Sequence, residues 1–187
     1  ITILFSLGLF NVVNYFFVKK DNYDEQNTIQ SLILFLGTIT TLIFYFSGFL
    51  FNNSTLAEII KIYALSFIFA FPANFFNAIL IINNKTKYVA YCSIIVTLLN
   101  SGGLFISIQE FHSIIFAFYI LGIIVPILNF VLLFVKAKNY ISTKLTARFS
   151  SFKKVIKVSG PLYLTNILGA SYIYVSAFFV SVFAGNI

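Results

Sequence analysis

The chain has 187 residues, 60% of them hydrophobic and only 9% charged, with a mean hydropathy of +0.98. Soluble domains carry about 25% charged residues, so this chain lacks the polar side chains to cover a water-facing surface, and lipid is the solvent that suits it. The net charge of +7 does not indicate nucleic-acid binding, because its placement along the chain follows membrane topology.

A spanning helix needs about 20 predominantly apolar residues. The first apolar run, 1–18, opens directly with ITILFSLGLF and has no basic stretch before it, so it reads as a clipped helix and not as a signal peptide. KKDNYDEQNT closes it with charge. The second span is 31–51 and ends at the turn cluster Asn52-Asn53-Ser54. The third is 56–82, opened by Thr55-Leu56-Ala57-Glu58, a capping-box pattern in which Thr55 and Glu58 would satisfy free backbone donors. Glu58 and Lys61, three residues apart in its first turns, are expected to pair locally near the membrane interface. After NNKTK comes the fourth span, 88–108, then Gln109-Glu110 and the fifth span, 112–135. A polar connection, 136–157, leads to the sixth span, 158–183. Pro72 and Pro126 fall mid-span, where proline removes a helical hydrogen bond. Pro161 falls near the start of the sixth span, where a first turn tolerates it. Cys92 reads as a small buried hydrophobe and His112 as an interfacial residue. One cysteine and one histidine can build neither a disulfide nor a metal cluster, and no cofactor is expected.

Alternating spans put the connections 19–30, 83–87 and 136–157 on one side. They hold eleven of the twelve basic residues, and Lys61 is the remaining one. The positive-inside rule places these three connections in the cytoplasm. Within the last, Ile141, Leu145, Phe149, Phe152 and Ile156 recur at helical spacing. Lys153 and Lys157 fall on the opposite face, which predicts a helix over 139–157 lying on anionic membrane lipids.

Asparagine recurs inside the apolar runs, at Asn11, Asn14, Asn74, Asn77, Asn100, Asn129 and Asn166. An unpaired amide in hydrocarbon costs roughly 2–7 kcal/mol, so these side chains should meet another helix or water. Ala70, Asn74, Asn77 and Ala78 form a small and polar stripe on the third span. Ser93, Thr97, Asn100 and Ser101 form another on the fourth, and Asn166, Gly169 and Ala170 a third on the sixth. Two uses are open: close packing between helices, or the lining of a hydrophilic cavity for a hydroxyl-rich, uncharged substrate. Asn11, Asn14, Asn74, Asn77, Asn100 and Asn166 are the candidate cavity residues. No phosphate loop, zinc motif or nucleophile elbow is found, so no catalytic residue is assigned and no enzyme is expected.

Three stretches together resemble one family. They are Gly8-Leu9-Phe10-Asn11-Val12-Val13-Asn14-Tyr15, then Phe71-Pro72-Ala73-Asn74-Phe75-Phe76-Asn77-Ala78 with Asn84-Lys85-Thr86-Lys87, and Ser159-Gly160-Pro161-Leu162-Tyr163-Leu164. In order and spacing they are similar to the second, fourth and seventh helices of the Wzx-like polysaccharide flippases of the MATE-like (MOP) exporter superfamily. The resemblance implies an all-α, polytopic transmembrane helix bundle: 1–135 from the first lobe of a two-lobe transporter, 136–157 the inter-lobe linker and 158–187 the first helix of the second lobe. It implies a bacterial inner-membrane protein that flips a polyprenyl-linked oligosaccharide, such as an O-antigen or capsule repeat unit, by alternating access. It also implies association with polysaccharide-assembly proteins. Many relatives carry a basic residue where Asn14 stands and an acidic one where Ser176 stands, so no ion-coupling or pyrophosphate role is carried over. The competing readings are a multidrug or cation antiporter of the same superfamily, a membrane-embedded glycan polymerase or acyltransferase, and a structural membrane subunit.

Overall fold

A computed structural model describes residues 9–18, 23–109, 114–141 and 148–184. Every regular element among them is helical: α1 (Leu9–Val18), α2 (Tyr23–Ser47) with a 3-10 turn (Gly48–Leu50), α3 (Ser54–Ile82), α4 (Thr86–Gln109), α5 (Ile114–Tyr119), a π turn (Ile120–Ile124), α6 (Val125–Ala137) and α7 (Phe149–Ala184). Among the described residues four stretches are long and apolar enough to cross a membrane: Tyr23–Leu50, Ser54–Ile82, Thr86–Ser107 and Ile115–Ala137. They coincide with the second to fifth expected spans. The outer surface carries large apolar side chains such as Leu42, Ile43, Phe46, Ile94, Leu98 and Phe105. So continuous an apolar exterior suits hydrocarbon and not water. The chain is a multi-span candidate membrane helix bundle.

α3 is the central helix and packs against α1, α2, α5, the π turn and α6. Phe71, Phe75, Ile79 and Leu80 of α3 are fully buried with Val12, Val13, Ile29 and Ile33. Close approach depends on glycine at two places. A Cβ on Gly37 of α2 would lie 3.1 Å from Phe71 Cβ, and one on Gly122 of the π turn 3.3 Å from the Ile62 carbonyl oxygen. Phe130 of α6 packs against Phe69 and Phe76, with ring centroids 5.8 and 5.6 Å apart.

Proline acts differently at its three positions. α3 continues through the buried Pro72. Just before Pro126 the backbone widens into the π turn, and the Val125 N–H donates five residues back to Ile120 O. A proline has no N–H for the carbonyl four residues earlier, and a π bulge absorbs the mismatch. Pro161 lies deep inside α7, not in its first turn, because that helix begins at Phe149.

Other expectations are corrected. α2 starts at Tyr23, so 23–30 is helix and not loop: Asp24 and Glu25 stand in the first turn, where carboxylates favour a helix N-terminus. The N-cap of α3 is Asn53, whose side chain accepts from the Leu56 N–H at 3.0 Å, so Thr55 and Glu58 form no capping box. Glu58 does not pair with Lys61. It accepts a long 3.5 Å contact from Tyr119 OH, while Lys61 Nζ sits 3.5 Å from the centre of the Phe49 ring. Residues 138–141 are turn and bend, and the helix resumes at Phe149 and runs unbroken past 158. Ser151, Val155 and Ser159 form the buried face of α7, leaving Phe149, Phe152 and Ile156 exposed. Leu145 and His112 lie outside the described residues. Cys92 is buried, as expected.

Candidate functional site

Hydroxyl groups and amides meet an apolar helix differently. A Ser or Thr hydroxyl can return to its own backbone: Thr28 donates to Asp24 O at 2.7 Å, Thr41 to Gly37 O at 2.8 Å and Ser107 to Gly103 O at 2.6 Å. An asparagine amide has two donors and an acceptor, and no such turn back satisfies all of them. Its position in the bundle is therefore the more telling one.

Asn14 on α1 and Asn74 on α3 are exposed, and Asn77 on α3 and Asn100 on α4 are half-buried. Asn74 and Asn77, three residues apart, share one face of α3. The carbonyl oxygen of Asn77 is buried without a hydrogen-bond partner. The only other such side-chain atom among the described residues is the Thr40 hydroxyl oxygen on α2. The side chains of Asn11 and Asn166 lie outside the described set. Ser93, Thr97 and Ser101, which share the α4 stripe with Asn100, are exposed. The α4 stripe is thus largely exposed, whereas on α3 Ala78 packs against the core; close helix approaches are made at Gly37 and Gly122. None of the three cavities around Pro72, Asn83 and Gly102 is lined by Asn14, Asn74, Asn77 or Asn100.

The structure does bring together the three connections that carry the basic residues. The end of α1, the start of α2, the α3–α4 turn and the turn after α6 surround an open cavity of about 570 Å³. Phe17, Tyr23, Gln26, Asn83, Asn139 and Tyr140 are among its lining residues. Polar ties cross this end. Gln26 Nε2 donates to Phe16 O at 3.0 Å, and Arg148, just before α7, and Lys154 of α7 pair with Asp24 and Glu25 of α2. The Lys154 ammonium, donating to Glu25 at 2.8 Å, holds that carboxyl below the usual carboxylate range, and Glu25 in turn raises the lysine. Glu25 lies in the first turn of α2 and Lys154 in the second turn of α7, both ahead of the apolar stretches. Sequence reading missed these pairs because they join residues more than a hundred positions apart.

A second opening, of about 350 Å³ and almost wholly apolar, lies between α4 and the π turn, lined by Leu98, Gly102, Ile106, Ile120 and Ile124. Comparison with protein-family models, with curated proteins and with solved structures finds no match.

Proposed function

We propose that this chain forms most of the first lobe, with the start of the second, of a transporter that flips polyprenyl-linked oligosaccharide across a bacterial inner membrane. In this reading 19–30, 83–87 and 136–157 face the cytoplasm. The observation that carries it is the outward placement of uncharged amides. Asn14 and Asn74 are exposed on a bundle whose exterior is otherwise compatible with hydrocarbon. Lipid facing such amides would cost roughly 2–7 kcal/mol for each unmatched group, whereas a wet path between two lobes solvates them. Neutral donors and acceptors suit sugar hydroxyls and bind weakly enough to release cargo. No bond is made or broken in this role; the lobe supplies an uncharged polar wall that alternates between the two sides.

The first turns of α7 fit a membrane surface. Phe149, Phe152 and Ile156 are exposed, beside the exposed Lys153 and Lys157. Apolar burial together with attraction to anionic lipid would hold this segment at the bilayer boundary.

The test uses the full-length protein in its native membrane. Asn14→Ala, Asn74→Ala, Asn77→Ala and Asn100→Ala should each lower surface glycan while protein abundance stays near wild type. If glycan falls only in proportion to abundance in every variant, these side chains are packing elements and the reading fails.

A further inference from the structure

We infer that the first turns of α7 are a lipid-operated latch: in one position they clasp two carboxylates of α2, and in another they exchange these for an anionic membrane surface. This goes beyond the transport reading and rests on it only in placing the basic end at the cytoplasmic face of a membrane.

The clasp joins groups of unequal exposure. Arg148, just before α7, reaches Asp24, and Lys154 on the second turn reaches Glu25. The two basic side chains are 69% and 68% exposed, whereas Glu25 is 10% exposed. Glu25 is thus held in place while the cations stay open to competition. Exposed ion pairs are weak, and their surroundings screen them. The hold beneath the clasp is also slight: the buried face of α7 there is Ser151, Val155 and Ser159, two small hydroxyl residues and one valine.

The same segment carries the features of a competing partner. Phe149, Phe152 and Ile156 are exposed beside the exposed Lys153 and Lys157. An anionic bilayer surface binds such a helix through both its apolar and its basic side chains. A basic side chain near that surface gains about as much as it gains in an exposed ion pair. The two positions are therefore close in free energy, as a population shift requires. A neutral surface supplies the apolar attraction alone and leaves the clasp in place.

The backbone allows the exchange. Gly160-Pro161 ends the segment, and a Cβ on Gly160 would meet no described neighbour within 4 Å. Pro161 leaves the Lys157 carbonyl without its helical donor, and helices bend at such positions. The other side of the clasp leads to the cavity. Tyr23 and Gln26 line it, and Asp24 and Glu25, between them on the first turn of α2, hold Arg148 and Lys154. Release of the latch thus frees one wall of the cavity.

The experiment measures a distance by double electron–electron resonance in the full-length protein, with Cys92→Ala as background. Spin labels are placed at Ser150→Cys and Thr86→Cys, both exposed at the basic end. The nanodiscs are phosphatidylcholine alone or an equal mixture with phosphatidylglycerol. In phosphatidylcholine the distance should be single and short. The mixture should add a longer one and raise the long-to-short ratio about tenfold, the worth of one or two basic side chains at an anionic surface. Lys153→Gln with Lys157→Gln should cancel that rise. Asp24→Asn with Glu25→Gln should bring out the long distance in phosphatidylcholine alone. Lys154→Gln, at an exposed position, should do the same without touching the buried carboxylate. Inorganic phosphate added to the neutral discs at matched ionic strength should leave the short distance, since it offers nothing to the apolar side chains. Equal distances in the two lipids, a rise that survives loss of Lys153 and Lys157, a short distance that persists without Lys154, or opening by phosphate would each overturn the latch. Flipping of a glycan lipid, measured on the same preparations, separates the two ideas. Flipping with a distance insensitive to lipid removes this inference and leaves the transport reading, while a lipid-driven distance without flipping does the reverse.

Discussion

The two ends of the bundle are held by different physics. At the basic end, directional polar contacts join residues far apart in sequence: Arg148 to Asp24, Lys154 to Glu25, Gln26 to Phe16, and Tyr88 OH to Leu132 O at 2.6 Å. They tie α7 to α2, α2 to α1, and α4 to α6. At the other end the contacts are steric or mostly local. Gly48 lies against Lys61 and Ala57, Lys61 covers the Phe49 ring, and Asn53 caps its own helix. The basic end is therefore sensitive to charge and pH, and the opposite end to volume.

The largest effect is expected from volume. A Cβ at Gly48 would lie 2.8 Å from Lys61 Cγ and 3.1 Å from the Ala57 carbonyl oxygen. Gly48→Val should cost about 1–3 kcal/mol through forced separation of α2 and α3, read as a lower Tm of the purified full-length protein. An unchanged Tm would mean that this end is loosely packed.

Next comes the cap. Asn53→Ala should lose about 1 kcal/mol, and Asn53→Asp should retain most of it, since both Asn and Asp accept from the Leu56 N–H. Equal losses would assign capping to another residue. Thr55→Ala should have little effect, which separates the observed cap from the one expected at Thr55.

Charge reversal should have a smaller effect, confined to the basic end. Glu25→Lys should lower Tm by facing Lys154 with a like charge, and adding Lys154→Glu should restore most of the loss. Failure of the double variant to recover would show that the pair is incidental.

The smallest effect is the pH dependence. The folded carboxyl of Glu25 titrates below its unfolded value, so its contribution is complete above the ordinary glutamate pKa of about 4.3 and is lost as pH falls through the lower, folded value. Lys154 is raised, so its contribution is complete below the ordinary lysine pKa of about 10.4 and is lost only as pH rises through the higher, folded value. The Tm difference between wild type and Glu25→Gln should be flat between roughly pH 5 and 10 and narrow outside that window. A difference that changes near pH 7 would implicate another group.

Composition and hydropathy were enough to place the second to fifth spans, because a membrane crossing needs length and apolarity, both of which are local properties. Local signals failed where a neighbour decided the outcome. Residues 23–30 look like a charged loop, yet they are helical, with Asn27 and Thr28 buried and Glu25 held by a distant lysine. The apolar repeat at Phe149, Phe152 and Ile156 reads as a face for lipid, and it is exposed; the face that α7 buries, Ser151, Val155 and Ser159, carried no such signal, because close packing against α1 and α2 favours small and β-branched side chains. The asparagines were visible as anomalies in apolar runs. Their outward placement was not, since it depends on which face of α3 its neighbours cover. The cavity of Tyr23, Gln26, Asn83 and Asn139 was equally invisible, because its walls come from three separate connections.

The central claim is that the exposed amide face of α3 meets water and not lipid. The decisive measurement is labelling by a membrane-impermeant thiol reagent in native membranes, using the full-length protein with Cys92→Ala as background. Asn74→Cys should react, because a wet path reaches it, while Leu98→Cys, also exposed but on α4 and set in an apolar surface, should stay unlabelled. An unreactive Asn74→Cys, or equal reaction at both positions, would contradict the account.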